Sequence, residues 1–271
     1  MFHKVAIAEP MEVFRVAMLK SVIKSVIRRA GYEIRRIPDR SPEAERLVEL
    51  REPEWVREIF DVVQPFTMTS PERVAALCHA VEYLDRNEID GDIVECGVWR
   101  GGSMMAAAIT LQRSQHWRTL HLYDTFEGMT EPSFVDVETH SGVSAKEILA
   151  ASDTEADIWA KARLDQVRQN LAATGYPFDR LKFVVGNVED TIPSTSPERI
   201  ALLRLDTDWY ESTKHELIHL WPRLVRNGIL IIDDYGHWTG AKKAVDEFVA
   251  DAEGPLFLNH VDYAGRLIVK P

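Results

Sequence analysis

The stretch DIVECGVWRGGSMMAAAITLQ, residues 92–112, places a short apolar run, a turn with three glycines and a helical pattern in direct succession. Glycines after a buried strand allow the backbone to approach a ligand, and the helix that follows points N–H groups at an anion. Gly97, Gly101 and Gly102 lack the GxGxxG spacing of dinucleotide-binding proteins. The stretch favours a nucleoside-binding α/β fold, and its plain alternative is a strand-to-helix turn without a ligand.

The same alternation of strands and helices continues to the end of the sequence. Strands are predicted at 92–96, 119–124, 181–186, 200–206, 228–233, 256–260 and 265–270. Apolar strands separated by helices are typical of a sheet that is buried on both faces. We therefore predict an α/β fold with a doubly wound, mostly parallel, seven-stranded sheet, whose ligands bind beyond the carboxyl ends of the strands.

The first part of the chain differs in charge from the rest. Residues 1–36 hold eight Lys and Arg against three acidic residues, whereas the whole chain has a formal net charge of −11. Helical spacing over 11–36 predicts a basic amphipathic helix, which is compatible with peripheral membrane contact, with a partner subunit or with packing on its own domain. We predict an N-terminal helical extension over 1–65 and the main domain over 66–271, and we expect a homo-oligomer.

Charge and hydropathy disfavour two classes of function. Nucleic-acid binding needs clustered Lys and Arg, and the motif region has none. No apolar run approaches the roughly 18 residues of a transmembrane segment, and the first residues lack the apolar stretch of a signal peptide, so a cytoplasmic location is expected. Cys78 and Cys96 fall in apolar helix and strand patterns, which suits reduced, buried thiols.

Carboxylates end two later strands. Asp206 follows the run 200–205, and Asp233 with Asp234 follows the run 228–232. If these strands are parallel neighbours, about 4.8 Å apart, the three carboxylates converge and repel one another unless a cation joins them. An all-oxygen ligand set suits Mg²⁺ or Mn²⁺. Alternatively these aspartates are turn or cap residues, with Asp208 as a cap of the next helix.

Acidic residues also lie at the ends of the first two strands. Glu95 is close to the end of the first strand, as is typical of nucleoside-binding folds. Asp124 ends the second, 27 residues after Gly97. From that place a carboxylate can accept both ribose hydroxyl hydrogens. The alternative for Asp124 is a cap or turn residue.

Five ordered stretches together carry a family resemblance. They are DIVECGVWRGGS, LYDTFEGM, GNVEDTIP, LLRLDTDWYEST and IIDDYGHW followed by KKAVDEF. With them the chain resembles the macrocin O-methyltransferase family. The resemblance implies a class I methyltransferase fold, S-adenosylmethionine as methyl donor, a divalent metal that is usually magnesium, and a sugar hydroxyl on a glycosylated natural product as acceptor.

The resemblance also implies roles for single residues. Gly97 would face the methionine part of the donor, Ser103 its carboxylate and Asp124 its ribose. The segment Gly186 to Asp190, with Asn187, would lie along the adenine. That segment could equally be a turn closed by its own side chains.

The predicted chemistry needs a base and a closed site. A sugar hydroxyl is a weak acid, and a metal ion makes it ionise more readily. Asp206 is the first candidate to take the proton, and His237 is the rival. The long insertion over 125–157 follows the second strand, so we predict a lid there, against the alternative of a surface excursion. Other functions that stay open are a nicotinamide oxidoreductase and a non-catalytic protein of the same fold.

Overall fold

Seven strands form one sheet in the computed structural model, which describes residues 41–153 and 156–271. They are β1 (Asp92–Cys96), β2 (Leu120–Asp124), β3 (Leu181–Val185), β4 (Ile200–Leu205), β5 (Leu224–Ile232), β6 (Asn259–His260) and β7 (Arg266–Val269). The order is β3-β2-β1-β4-β5-β7-β6; β1 to β5 are parallel, and β7 is antiparallel to β5 and β6. The predicted mostly parallel sheet is confirmed. The basic helix predicted over 11–36 lies outside the described residues.

Helices cover the sheet. They are α1 (Pro42–Glu49), α2 (Glu54–Val63), α3 (Pro71–Arg86), α4 (Gly102–Ser114), α5 (Ala145–Ala151), α6 (Leu164–Ala173), α7 (Val188–Thr191), α8 (Tyr210–Leu220) and α9 (Thr239–Ala250). Helix α3 begins after Ser70, whose side chain accepts a hydrogen bond from the Arg73 amide, and Pro71 follows this cap. Before α6, a short 3-10 helix over Asp157–Trp159 ends at Ala160, which has a left-handed φ of 47°. Within the described residues, no helix is long and apolar enough to cross a bilayer.

The two faces of the sheet bury alternate residues of each strand. Ile93 and Leu202 belong to the core that includes α2, α3 and α4. Val94 and Leu203 belong to the opposite core, together with side chains of α8 and α9. Because side chains alternate along a strand, each strand end sends successive residues to opposite faces. This pattern decides which polar groups meet beyond the strands.

Polar residues continue the α3-side row of the sheet. Glu95 and Arg204 are direct register partners on the adjacent strands β1 and β4. Asp233 follows β5, which is the other neighbour of β4, and its amide bonds to the Leu205 carbonyl. Buried polar side chains on three neighbouring strands therefore lie side by side on the face covered by α3.

Helices α1 and α2 share the main core. Leu47 of α1 and Val56, Phe60 and Val63 of α2 are buried in the same cluster as the α3 and α4 side chains. The compact unit of the described residues begins at Pro42. The division of the chain at residue 65 stays a prediction, and these contacts favour an earlier boundary.

The segment after β2 is anchored to the body of the protein. Asp136 is fully buried, and its carboxylate accepts hydrogen bonds from the Ser133 amide at 2.7 Å and the Tyr210 amide at 2.8 Å. The Thr139 amide donates to the His237 carbonyl, and the Trp209 indole donates to the Thr130 carbonyl. Residues 130–139 are thus anchored to the body of the protein. For the rest of the 125–157 insertion, movement as a lid stays a prediction.

Replacing Asp136 with Asn tests that anchor. The Asn side chain has a single acceptor oxygen, whereas each of the two Asp136 oxygens accepts a buried N–H. One of these N–H groups therefore loses its partner. We expect the free energy of unfolding to fall by about 1–3 kcal/mol in urea denaturation. Asp165→Asn, at an exposed site, is the control and should change it by less than about 0.5 kcal/mol. Equal small effects would show that Asp136 does not anchor the segment.

Candidate active site

A cavity opens at the carboxyl ends of the parallel strands. The predicted site residues that line it are Gly97, Ser103, Asp124, Asn187, Asp206, Asp233, Asp234 and His237. Glu95 is buried against Arg204 and Asp190 is exposed on α7, and neither lines the cavity, so their predicted contacts with the donor stay predictions. The sheet therefore brings together most of the residues that the sequence singles out.

Asp124 organises the turn after β1. Its carboxylate accepts hydrogen bonds from the amides of Val98 at 2.7 Å, Trp99 at 3.0 Å and Phe126 at 2.7 Å. Burial raises the pKa of Asp124, and these N–H donors oppose that shift. Since a carboxylate has about four lone-pair positions, about one remains for a ligand. Gly97 (φ 81°) is required beside it, because a Cβ there would lie 2.0 Å from the Asp206 carbonyl oxygen.

The two flanks of the cavity offer different groups. Ser103 is buried in the first turn of α4, where the helix N–H groups point to the cavity. Asn187 is exposed at the start of α7, and its carbonyl accepts the amides of Asp190 and Thr191. The segment 186–190 is therefore a turn closed on its own backbone, while Gly186 to Glu189 still line the cavity.

Asp206, Asp233 and Asp234 converge as predicted. Each offers a carboxylate oxygen, and these oxygens lie within 4.8 Å of one another. The strands β4 and β5 are parallel neighbours, and the chain bends directly after Ile232, which lets both adjacent aspartates face the same place. The His237 and Trp238 amides both donate to the Asp234 carbonyl and hold that bend.

Asp233 is compensated by two arginines. Its Oδ1 accepts Arg204 Nη2 at 2.6 Å, and its Oδ2 forms a short contact with Arg73 Nη1. Thr69 Oγ1 lies 3.1 Å and 2.9 Å from the two oxygens. Burial raises the pKa of Asp233, but Arg204 and Arg73 outweigh it, so the net pKa is lowered. Asp233 is held as an anion.

Asp234 and Asp206 are less well compensated. Asp234 Oδ2 is buried and has no hydrogen-bond partner among residues 41–153 and 156–271. Burial, then the charges of Asp208 and Asp233, raise the pKa of Asp234 far above its usual range. Asp206 receives one bond, from Arg204 Nη1 at 2.7 Å. Part of the negative charge in this site has no positive partner in the described part of the chain.

The residues present fit a divalent cation. Five carboxylates meet two guanidinium groups there: Glu95, Asp206, Asp208, Asp233 and Asp234 against Arg73 and Arg204. The Asp234 oxygen that has no hydrogen-bond partner in the described residues also suits a cation ligand. An all-oxygen, anionic set suits Mg²⁺ or Mn²⁺ rather than a softer metal.

Two further groups face the cavity. Asp208 does not cap the next helix, because α8 begins after Trp209 and the Asp208 carboxylate instead accepts the Trp238 indole N–H at 2.7 Å. Burial, then the Asp206 charge, raise the pKa of Asp208 to about 8. Burial also lowers the pKa of His237, and the charge of Glu138 opposes that shift. His237 Nδ1 lies 3.4 Å from the Tyr263 hydroxyl.

Sequence reasoning missed three residues and misread one. Arg204 had a weak signal, a lone charge in an apolar strand two residues before Asp206. Thr69 and Arg73 had none, since they reach the site only through the packing of α3. The alternative role of Asp208 as a helix cap is wrong, and the residue follows Asp206 by two positions on the ligand side of the sheet.

The neighbouring aspartates should respond oppositely to neutralisation. In EDTA, the raised pKa of Asp234 makes the folded state hold a proton at pH values above the unfolded pKa near 4, which costs folding free energy, so Asp234→Asn should raise the melting temperature by about 2–4 °C. The gain should be larger at pH 8 than at pH 5, because its raised folded-state pKa makes the cost grow with pH. Asp233→Asn deprives two buried guanidiniums of a charge partner and should cost about 3–5 kcal/mol. Destabilisation by both substitutions would contradict the charge imbalance described above.

Comparison with known proteins also points to a methyltransferase. The model of the Macrocin-O-methyltransferase (TylF) family matches residues 55–269. A tetracenomycin rhamnoside 4'-O-methyltransferase of Streptomyces olivaceus is 36% identical over 170 residues, 62% of each chain. Mycinamicin III 3''-O-methyltransferase of Micromonospora griseorubida is 34% identical, over 62% of this chain and 65% of that enzyme. The aligned part spans less than two thirds of the length of both relatives.

A solved structure agrees. The structure of the O-methyltransferase NovP matches with a TM-score of 0.64 and 28% identity, over 76% of this chain and 82% of that one. CalS11, a calicheamicin methyltransferase, matches with a TM-score of 0.59 at 19% identity, which supports the fold alone. The family model covers the sheet, the glycine turn and the acidic cluster. The chain belongs to the macrocin O-methyltransferase family.

Proposed function

We propose that the protein transfers a methyl group from S-adenosylmethionine to a sugar hydroxyl of a glycosylated small molecule, with a divalent cation bound by Asp206, Asp233 and Asp234. One observation carries the proposal: the glycine turn with Asp124 and the three aspartates border the same cavity. A donor site and a cation site at adjacent strand ends can hold the two reactants together.

The donor half of the cavity follows from β1, β2 and their loops. Gly97 lines the cavity where the methionine part would lie, and Ser103 with the N-terminal N–H groups of α4 suits its carboxylate. Asp124 keeps about one lone-pair position for a ribose hydroxyl after its three backbone bonds. Asn187 and the loop around it border the adenine side.

The acceptor half has an apolar and aromatic mouth. Met68 and Tyr263 line the cavity, and they remain 52% and 65% exposed. Exposed apolar groups at a cavity mouth suit an acceptor whose sugar carries an apolar aglycone. The names of two relatives specify a rhamnosyl tetracenomycin and mycinamicin III as their acceptors.

The cation would supply Lewis acidity, which lowers the pKa of an acceptor hydroxyl. The chain's own task is to take the proton and to align the reactants. Asp208 lines the cavity, and the Trp238 indole fixes its carboxylate. Asp206 is already engaged by Arg204 and shares the cation site, so we propose Asp208 as the proton acceptor in place of Asp206. His237 remains the rival base.

The proposal predicts donor binding and cation-dependent turnover. Calorimetry should show that S-adenosylhomocysteine binds and that NAD does not, since the turn lacks the dinucleotide spacing. Labelled S-adenosylmethionine should methylate an acceptor from a panel of glycosides, EDTA should abolish the transfer, and Mg²⁺ or Mn²⁺ should restore it. Binding of NAD instead would favour the oxidoreductase alternative. Turnover that EDTA leaves unchanged would remove the cation from the proposal.

The base assignment has its own test. Asp208→Asn should lower kcat by about 10²–10⁴-fold, as expected for loss of a general base, with Mn²⁺ affinity retained. Asp206→Asn should lower both kcat and Mn²⁺ affinity. His237→Ala is the matched comparison, and a small effect is expected. If His237→Ala abolishes turnover while Asp208→Asn stays active and both bind Mn²⁺, then His237 is the base.

A further inference from the structure

The Thr69 hydroxyl bonds to both oxygens of Asp233, the site carboxylate that is ion-paired with two arginines. Thr69 Oγ1 lies 3.1 Å and 2.9 Å from Asp233 Oδ1 and Oδ2. Arg204 Nη2 lies 3.4 Å from the same hydroxyl and donates to it, so the hydroxyl hydrogen is left to point at Asp233. The orientation of the hydroxyl is thereby set from both sides.

The connection between α2 and α3, residues 67–70, holds Thr69 in place. The Thr69 amide donates to the Thr67 side chain at 3.2 Å, and Ser70 caps α3. A Cβ on Gly102 would lie 2.6 Å from the Phe66 carbonyl oxygen and 2.7 Å from the Thr67 Cβ. The connection therefore packs directly on the first turn of α4, and it cannot shift without disturbing that helix start.

The number of lone pairs on Asp233 indicates a role for the Thr69 hydroxyl. Asp233 has about four lone-pair positions, of which Arg204 and Arg73 each use one. Thr69 uses a third, and one is left. Two guanidiniums alone fix the charge of Asp233 but still allow the carboxylate plane to turn between them, whereas a third donor between its oxygens limits that rotation.

We infer that Thr69 is a positioning residue for the cation site, which keeps Asp233 oriented so that it shares a cation with Asp206 and Asp234. The inference rests on the proposed function, because it presupposes that the three aspartates bind a divalent cation. Partners of ligating groups outside the metal's own shell typically contribute about 10–100-fold to metal affinity. No contact of Thr69 with donor or acceptor is needed for this role.

Three variants and one probe ion test the inference. Thr69→Val replaces the hydroxyl with a methyl group of similar size, and Thr69→Ser keeps the hydroxyl. Free Mn²⁺ is followed by electron paramagnetic resonance during titration of the full chain. We expect Thr69→Val to weaken Mn²⁺ binding by about 10-fold or more and Thr69→Ser to stay within about 3-fold of the unmodified protein. Affinity for S-adenosylhomocysteine in EDTA should not change.

The outcomes separate the inference from the proposed function. Mn²⁺ binding by Thr69→Val equal to that of the unmodified protein, or an equal loss in Thr69→Ser, overturns the positioning role while the cation site stands. If Thr69→Val does not fold, Thr69→Ala is judged by the same criterion. If the unmodified protein binds no Mn²⁺, the cation part of the proposed function fails and the inference fails with it.

Discussion

The buried guanidinium of Arg204 joins the carboxyl ends of three neighbouring strands. It donates to Glu95 near the end of β1 at 2.6 Å, to Asp206 after its own strand at 2.7 Å, and to Asp233 after β5 at 2.6 Å. Burying a cation is costly unless several carboxylates compensate it, and the carboxylates would repel one another without it. The acidic end of the sheet and Arg204 therefore require each other.

Arg204 does not compensate all of the carboxylates around it, and this excess of carboxylates points to function. Burial and the neighbouring carboxylates raise the pKa of Glu95 to about 7 against the opposing effect of Arg204, and its Oε2 has no partner in the described part of the chain. Arg73 adds a second cation, but it also pairs with Asp262 at 3.0 Å. A site designed only for stability would balance these charges. Excess carboxylates that face a cavity are instead typical of a place where a ligand completes the charge.

The sequence predicts that the acidic residues converge, but it does not predict which arginines pair with them. Parallel strands end at one edge, so Asp124, Asp206 and Asp233 could be placed together from the strand pattern alone. The Glu95–Arg204 pair depends on the register between β1 and β4, which an apolar run of five or six residues does not specify. Thr69 and Arg73 depend on the docking of α3 across more than 130 residues of chain. Local patterns predicted the elements, and long-range packing decided the counter-charges.

Through these long-range contacts, the α2–α3 connection links the two sides of the cavity. It contacts Gly102 at the start of α4, on the donor side, and Thr69 contacts Asp233, on the side of the acidic cluster. A segment that contacts both halves couples the position of one to that of the other. In-line transfer depends on the distance between the two halves, because misplacing the nucleophile by about 1 Å can cost about a hundredfold in rate. The residues before the first strand thus belong to the chemistry of the site as much as to its support.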